Sequence, residues 1–186
     1  PERQPIGLVI HAPELFAGNH TLDLSTADDE YRQHSIRELQ RVVDISKDLR
    51  KRFKCDEPVL LVTNVGGFSE HHHLDDQEKQ PLRHRLIQSL DKISTTNEVE
   101  IIPQTMPPFP WHFGGQRYHN LFVDADFIQA FHEDTGMRVC LDVSHSKLAC
   151  NHLNASFSEF LKKILPFTAH LHLADAQGVD GEGLQI

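Results

Sequence analysis

The feature that most constrains this chain is a rhythm of short, unbroken apolar runs separated by stretches of helical spacing. The runs are IGLVIHAP at 6–13, PVLLVTNVGG at 58–67, VEIIPQ at 99–104, RVCLDVSH at 138–145 and TAHLHLADA at 168–176. Each is brief and rich in Val, Ile or Leu, and reads as a strand. Between the first two, Ile36, Leu39, Val42, Val43, Ile45 and Leu49 recur at helical spacing, giving a long amphipathic helix that starts at a Ser25 or Thr26 cap and ends near Phe53. Leu82, Leu86, Ile87 and Leu90 mark a second helix over 76–94, DADFIQAFHEDT a third over 124–135 closed by Gly136, and NASFSEFLKKIL a fourth, capped by Asn154 or Ser156.

Strands without a polar face must be covered on both sides, which implies parallel pairing with helices packed over the sheet. Two architectures satisfy that, an open doubly wound sheet and a closed barrel. No G-x-G-x-x-G or G-x-x-x-x-G-K-[ST] follows the first run, so the phosphate cradle of the nucleotide-binding open sheet is missing. Polar residues instead gather where the runs end: His11, Asn64, Gln104, Asp142 with His145, and His172 with Asp175. In a parallel barrel those ends ring one mouth. The expected fold is therefore an α/β TIM barrel, and a partial one, since five strands do not close a ring of eight and 186 residues fall short of the usual ~250. The opening PERQPIGLVIHAP enters a strand almost at once, so the reading is a single domain over 1–186 that is cut at both ends. Uncovered edges of such a sheet would invite pairing with another chain or a fused neighbour.

Charge and cysteine use narrow the function. The net charge is −9 and no Lys/Arg cluster appears, which disfavours a nucleic-acid partner. Cys55, Cys140 and Cys150 are odd in number and irregular in spacing, so neither a disulfide framework nor a zinc CxxC follows and a reducing cytoplasm fits. No apolar run approaches the ~18 residues that cross a bilayer, and no leader peptide opens the sequence. Of 14 histidines, His71 to His73 fall in a polar surface loop.

LDVSH sets an aspartate at a strand end and a histidine three residues later. A carboxylate in an apolar strand needs a hydrogen bond, an ion pair or a cation. Asp142 could therefore cap the next segment or ligate a metal, with His145 close by. In HLHLAD, His170 and His172 share one strand face, His172 nearer the mouth. Either histidine could be a satisfied core residue; together with LDVSH, His172 is the better ligand candidate. Imidazole plus carboxylate suits Zn2+, Mn2+ or Fe2+ better than Ca2+.

IHAP, NVGG, IPQTMPP, LDVSH and HLHLADAQG resemble, in order, successive strand ends of the xylose isomerase-like barrel superfamily. That group unites sugar and sugar-phosphate isomerases and epimerases with apurinic-site endonucleases. The resemblance implies that the runs are strands three to seven of eight. It also implies a divalent cation (Mn2+, Zn2+ or Co2+) on Asp142 and His172, with Gln104 standing where the family has a glutamate. The family's last metal glutamate would lie beyond Ile186. His145 matches the family's substrate- or second-metal-binding histidine, and His11 a strand-end histidine of some members. Asn64 stands where the endonuclease branch has a histidine, which argues against a trinuclear zinc cluster. The family's two metal-bound glutamates act as acid and base, so a neutral Gln104 weakens both cation binding and a two-base epimerisation.

The loop TMPPFPWHFGGQRY would overhang the mouth, with Trp111 and Phe113 free to stack on a sugar and Gly114–Gly115 and Arg117 to hold an anion; it reads equally as a proline-stiffened loop packed on the rim. GVDGEG could turn around a phosphate. IIPQTMPPFPWHFGG and DGEGLQI also resemble barrel domains found beside sialic acid synthase-like domains. The expected function is thus a metal-dependent sugar or sugar-phosphate isomerase or epimerase with His145 and Gln104 as catalytic candidates. His11, Trp111, Arg117 and Asp175 are its substrate contacts. A non-catalytic sugar-binding or partner barrel of a larger synthase is the alternative, and an endonuclease-like phosphodiesterase the third.

Overall fold

Five parallel strands lie side by side in chain order in the computed structural model, which describes residues 7–110 and 117–184. They are β1 (Val9–His11), β2 (Val59–Thr63), β3 (Val99–Pro103), β4 (Val139–Asp142) and β5 (Thr168–His172). β1, β2 and β3 pair in parallel, β4 pairs with β5, and a parallel bridge from Gln104 to Cys140 joins the two groups. Trp111, Phe113 and Gly114–Gly115 lie outside the described residues.

The apolar runs are continuous because the central strands are buried on both faces. Val59, Leu61, Val99, Ile101, Val139 and Leu141 face the helices in the main core, while Val62, Ile102 and Cys140 form a second, inner cluster with Leu60 and Ala169. Below that cluster Arg138 grips Glu100 through both carboxylate oxygens, at 2.8 and 2.6 Å. The outermost strands depart from the expected double burial. Val9 on β1 is 41% exposed and Leu171 on β5 is 45% exposed, because among the described residues each has a neighbouring strand on one side only. Three two-stranded antiparallel ribbons, 15–16 with 20–21, 68–69 with 118–119, and 175–177 with 181–184, decorate the arc; their short mixed sequences carried no readable periodicity.

Among the described residues five α-helices cover the outer face: α1 (Asp29–Phe53), α2 (Asp76–Leu90), α3 (Ala125–Thr135), α4 (Val143–Leu153) and α5 (Phe157–Ile164). α1 starts later than the Ser25 or Thr26 cap expected. The Ser25 and Thr26 backbone N–H groups donate to the buried Asp23 carboxylate, so Asp28 becomes the cap and accepts from Tyr31 N–H. The same Asp23 oxygen accepts from Gly67 N–H, tying the loop after β1 to the loop after β2. Gly66 has φ +84, and a Cβ there would stand 2.2 Å from Asp23 Oδ1. That close approach explains the glycine. α2 ends at Leu90 rather than 94, where Ile93 N–H turns back to the Leu90 carbonyl. Ser156, of its two candidates, caps α5, while Asn154 ends α4 in the left-handed region.

The larger correction is at 138–145. The strand stops at Asp142, and the residues after it open α4, a helix absent from the sequence reading. Its apolar positions are few, so helical spacing does not stand out in VSHSKLACNHL. No helix of the described residues is long and apolar enough to cross a membrane.

Candidate functional site

Of the strand-end residues singled out by the sequence, His11, Gln104, Asp142, His145 and His172 converge, and Gln104 lies at their centre. Its backbone is sewn between neighbours by Gln104 N–H on the Thr63 carbonyl and Thr105 N–H on the Cys140 carbonyl. The side chain, buried to 3% exposure, projects into the mouth of the arc. Its Nε2 donates to Asp142 Oδ2 at 3.0 Å and stands 3.2 Å from His172 Nδ1, while Oε1 lies 2.9 Å from His11 Nε2. The His11 and His172 rings, from the two outermost strands, stack at 5.7 Å across the opening. His170 sits one layer deeper, edge-on to His172 at 5.3 Å and in register with Cys140, away from this group. Burial and then His172 lower its pKa.

The D-x-x-H spacing has a mechanical cause. Asp142 is the N-cap of α4, and its Oδ1 accepts the backbone N–H of His145, the third residue of the first turn, at 2.9 Å. The cap and the site are served by different oxygens of one carboxyl, Oδ1 holding the helix and Oδ2 facing Gln104. The capping reading of LDVSH is therefore correct, and Oδ2 is left facing the other strand-end side chains. Burial works against the charge on Asp142. The neighbouring His172 first, then His145 and its N–H, outweigh burial and hold the carboxyl below its ordinary value.

His145 Nδ1 donates to the Thr105 carbonyl at 3.0 Å, which fixes Nε2 as the basic nitrogen of the neutral ring. Gln104 Nε2, 3.4 Å from the same Nδ1, is a neighbour rather than a donor to it. Thr105 is a site residue that the sequence reading missed. It is fully buried, its Oγ1 accepts Asp142 N–H at 2.9 Å, and it bonds Ser146 Oγ at 2.9 Å, clamping the end of β3 to the start of α4. Its position directly after Gln104 at a strand end was the available signal.

Other candidates stand apart. Asp175 is held by Lys147 and by its own neighbour's N–H, and both act to lower its pKa. Arg117 is exposed, just ahead of the ribbon at 118–119, its backbone N–H bonded to the Ser69 carbonyl. Asn64 is buried and accepts Gly66 N–H at 2.9 Å, so its amide shapes the turn.

Among the described residues no three His, Cys, Asp or Glu side chains make up a metal site by themselves. Gln104 stands beside two such side chains. Its amide terminus, Asp142 Oδ2 and His172 Nδ1 form a triangle with edges of 3.0, 3.2 and 3.4 Å. A cation with bonds of about 2.1 Å to such donors separates them by about 3.0–3.4 Å, depending on its geometry. The residues therefore fit a divalent cation, on the condition that the amide presents oxygen to it.

The family model described as xylose isomerase-like TIM barrel matches residues 2–185. Among solved structures, a D-tagatose 3-epimerase-like protein superposes with a TM-score of 0.64 at 17% identity, over 94% of this chain and 58% of its own. An L-ribulose 3-epimerase gives 0.62 at 18%, over 91% and 50%. Endonuclease IV from Thermus thermophilus gives 0.53 at 16%, over 95% and 55%. The chain thus spans little more than half the length of these proteins, and at such identities the likeness is one of fold. No curated protein matches the chain in sequence.

Proposed function

Because the chain belongs to the xylose isomerase-like TIM barrel family, we propose that it carries one side of the active site of a sugar or sugar-phosphate isomerase or epimerase. The carrying observation is the meeting of His11, Gln104, Asp142, His145 and His172 at one mouth from strands far apart in sequence. Two of the neighbours support the reading, one being by name an L-ribulose 3-epimerase and the other a D-tagatose 3-epimerase-like protein.

Asp142 Oδ2, His172 Nδ1 and the Gln104 carbonyl would hold the cation, with Mn2+, Zn2+ and Co2+ all suited to that donor set. When bound, the cation polarises a sugar oxygen and acidifies the adjacent C–H. Gln104 cannot take up a proton there, so proton transfer on this chain falls to His145 Nε2, aimed by the Thr105 carbonyl behind it. His11 and His172 border the sugar. Trp111 is assigned a stacking role and Arg117 contact with an anionic substituent such as a phosphate. Asp175, engaged by Lys147, steadies the segment after β5 at the substrate's edge. The likeness of the 101–115 and 180–186 stretches to domains of sialic acid synthase-like proteins supports a nonulosonic or cell-surface sugar as substrate. Three free, buried cysteines support a reducing compartment such as the cytoplasm.

Turnover of a ketose and aldose panel by the full-length protein, with added Mn2+, Co2+ or Zn2+, tests the reading. Asp142→Ala and His145→Ala should each lower turnover by about 10²-fold or more. Activity indifferent to both substitutions and to chelation would refute it.

One observation favours a second reading. Gln104 removes a carboxylate base from the centre of the site, as expected of a sugar-binding barrel that supports a neighbouring synthase. That reading requires sugar binding by calorimetry without turnover, in the natural protein and in Gln104→Glu alike. Cleavage of abasic nucleic acid is the least supported, since Asn64 is committed to its turn and the chain carries a net charge of −9.

A further inference from the structure

The centre of the site poses a question of donors and acceptors. Asp142 Oδ2 is an acceptor, and the amide terminus 3.0 Å from it is Nε2, a donor. Nε2 thus stands at one corner of the triangle whose other corners are Asp142 Oδ2 and His172 Nδ1, and satisfies both. A glutamate in this place would set two carboxylates 3.0 Å apart, an arrangement that demands a cation or a proton between them. Glutamine removes that demand.

The far end of the amide is the mismatched one, acceptor facing acceptor. His11 Nδ1 donates to the Ala12 carbonyl at 2.8 Å, so Nε2 of the neutral ring offers a lone pair toward Gln104 at 2.9 Å. Oε1 faces that nitrogen in this structure. A half-turn of the amide would bring NH2 to it and send Oε1 toward Asp142 and His172. The two ends of a carboxamide have nearly the same shape, so neither orientation needs a change in packing.

We propose that the Gln104 carboxamide is a two-position group, which bridges Asp142 and His172 with its NH2 end in the cation-free site and turns its oxygen inward to ligate a cation. This deepens, and rests on, the reading of the mouth as a divalent-cation site. Cation and amide N–H compete for the same two acceptors, so occupancy depends on the cation concentration over a range where a glutamate site would already be filled. Cation binding also passes the amide hydrogens to His11, coupling the two walls of the mouth.

The test uses metal-free full-length protein titrated with Zn2+, followed by calorimetry and by NMR of the Gln104 side-chain amide, whose signals are identified by their loss in Gln104→Glu. The expected result is that Gln104→Glu binds Zn2+ at least about tenfold tighter, and that in the natural protein the amide hydrogens exchange proximity to the His172 ring for proximity to the His11 ring as Zn2+ binds. Zn2+ binding with the amide hydrogens still beside His172, or equal affinity in the two proteins, would overturn the two-position proposal and leave the cation site standing. Absence of Zn2+ binding in both proteins, with each folded by circular dichroism, would overturn the cation site itself.

Discussion

His119, fully buried on the ribbon paired with 68–69, has a ring that stands beside the Gly66 backbone with no hydrogen bond of acceptable geometry to either nitrogen among the described residues. Burial first, then the neighbouring His145, push its pKa down to about 3. The unfolded chain takes up this proton near 6.5 and the folded one does not, so the contribution is fully present above 6.5 and is lost as pH falls toward about 3. The loss could reach about 5 kcal/mol. Urea midpoints measured from neutral pH down to about pH 4 should fall steeply, and His119→Phe should flatten that limb; identical acid limbs would reject the assignment. Nothing in YHN distinguishes His119 from the many exposed histidines, because its burial depends on a ribbon partner far away in sequence. Gln104, Asp142 and His172 were legible for the opposite reason. Polar residues ending otherwise apolar strands advertise themselves, whereas Thr105 and His119 act through backbone and burial that only the fold reveals.

At the level of elements, the strands and four of the five described helices were legible in the sequence, and what the spacing hides is local capping. Asp23 takes the Ser25 and Thr26 N–H groups and so shifts the start of α1, and Asp142 starts a helix where the apolar run seemed to continue. Helix ends tell the same story in reverse. Lys54 closes α1 in the left-handed region at φ 53, a conformation that costs a branched or long side chain but not glycine. Lys54→Gly should therefore raise stability by about 0.5–1 kcal/mol in denaturant melts. A loss would mean that the lysine side chain contributes more than its backbone strain removes. Gly136 already fills the equivalent place after α3, at φ 68.

At the largest scale, the five described strands form an arc whose site opens at one end and whose outer strands have no further partner among the described residues. Val9 and Leu171 are half-exposed on the outer strands and Leu173, just past β5, is 67% exposed. An isolated 7–184 segment should associate through these edges, and Leu171→Lys with Leu173→Lys should shift light-scattering mass toward monomer. Monomeric behaviour of the unsubstituted segment would show the edges to be self-sufficient. The arc was readable from the strand–helix alternation, while its curvature was not, since curvature comes from side chains meeting across the concave face. The Glu100–Arg138 clasp draws two neighbouring strands together at the lower end. At the upper end the His11 and His172 rings lie against each other from opposite rims. Those rings form a lintel over the doorway. How far the rims splay thus sets what size of guest is admitted, and a bulkier ring at position 11 would screen substrates by girth.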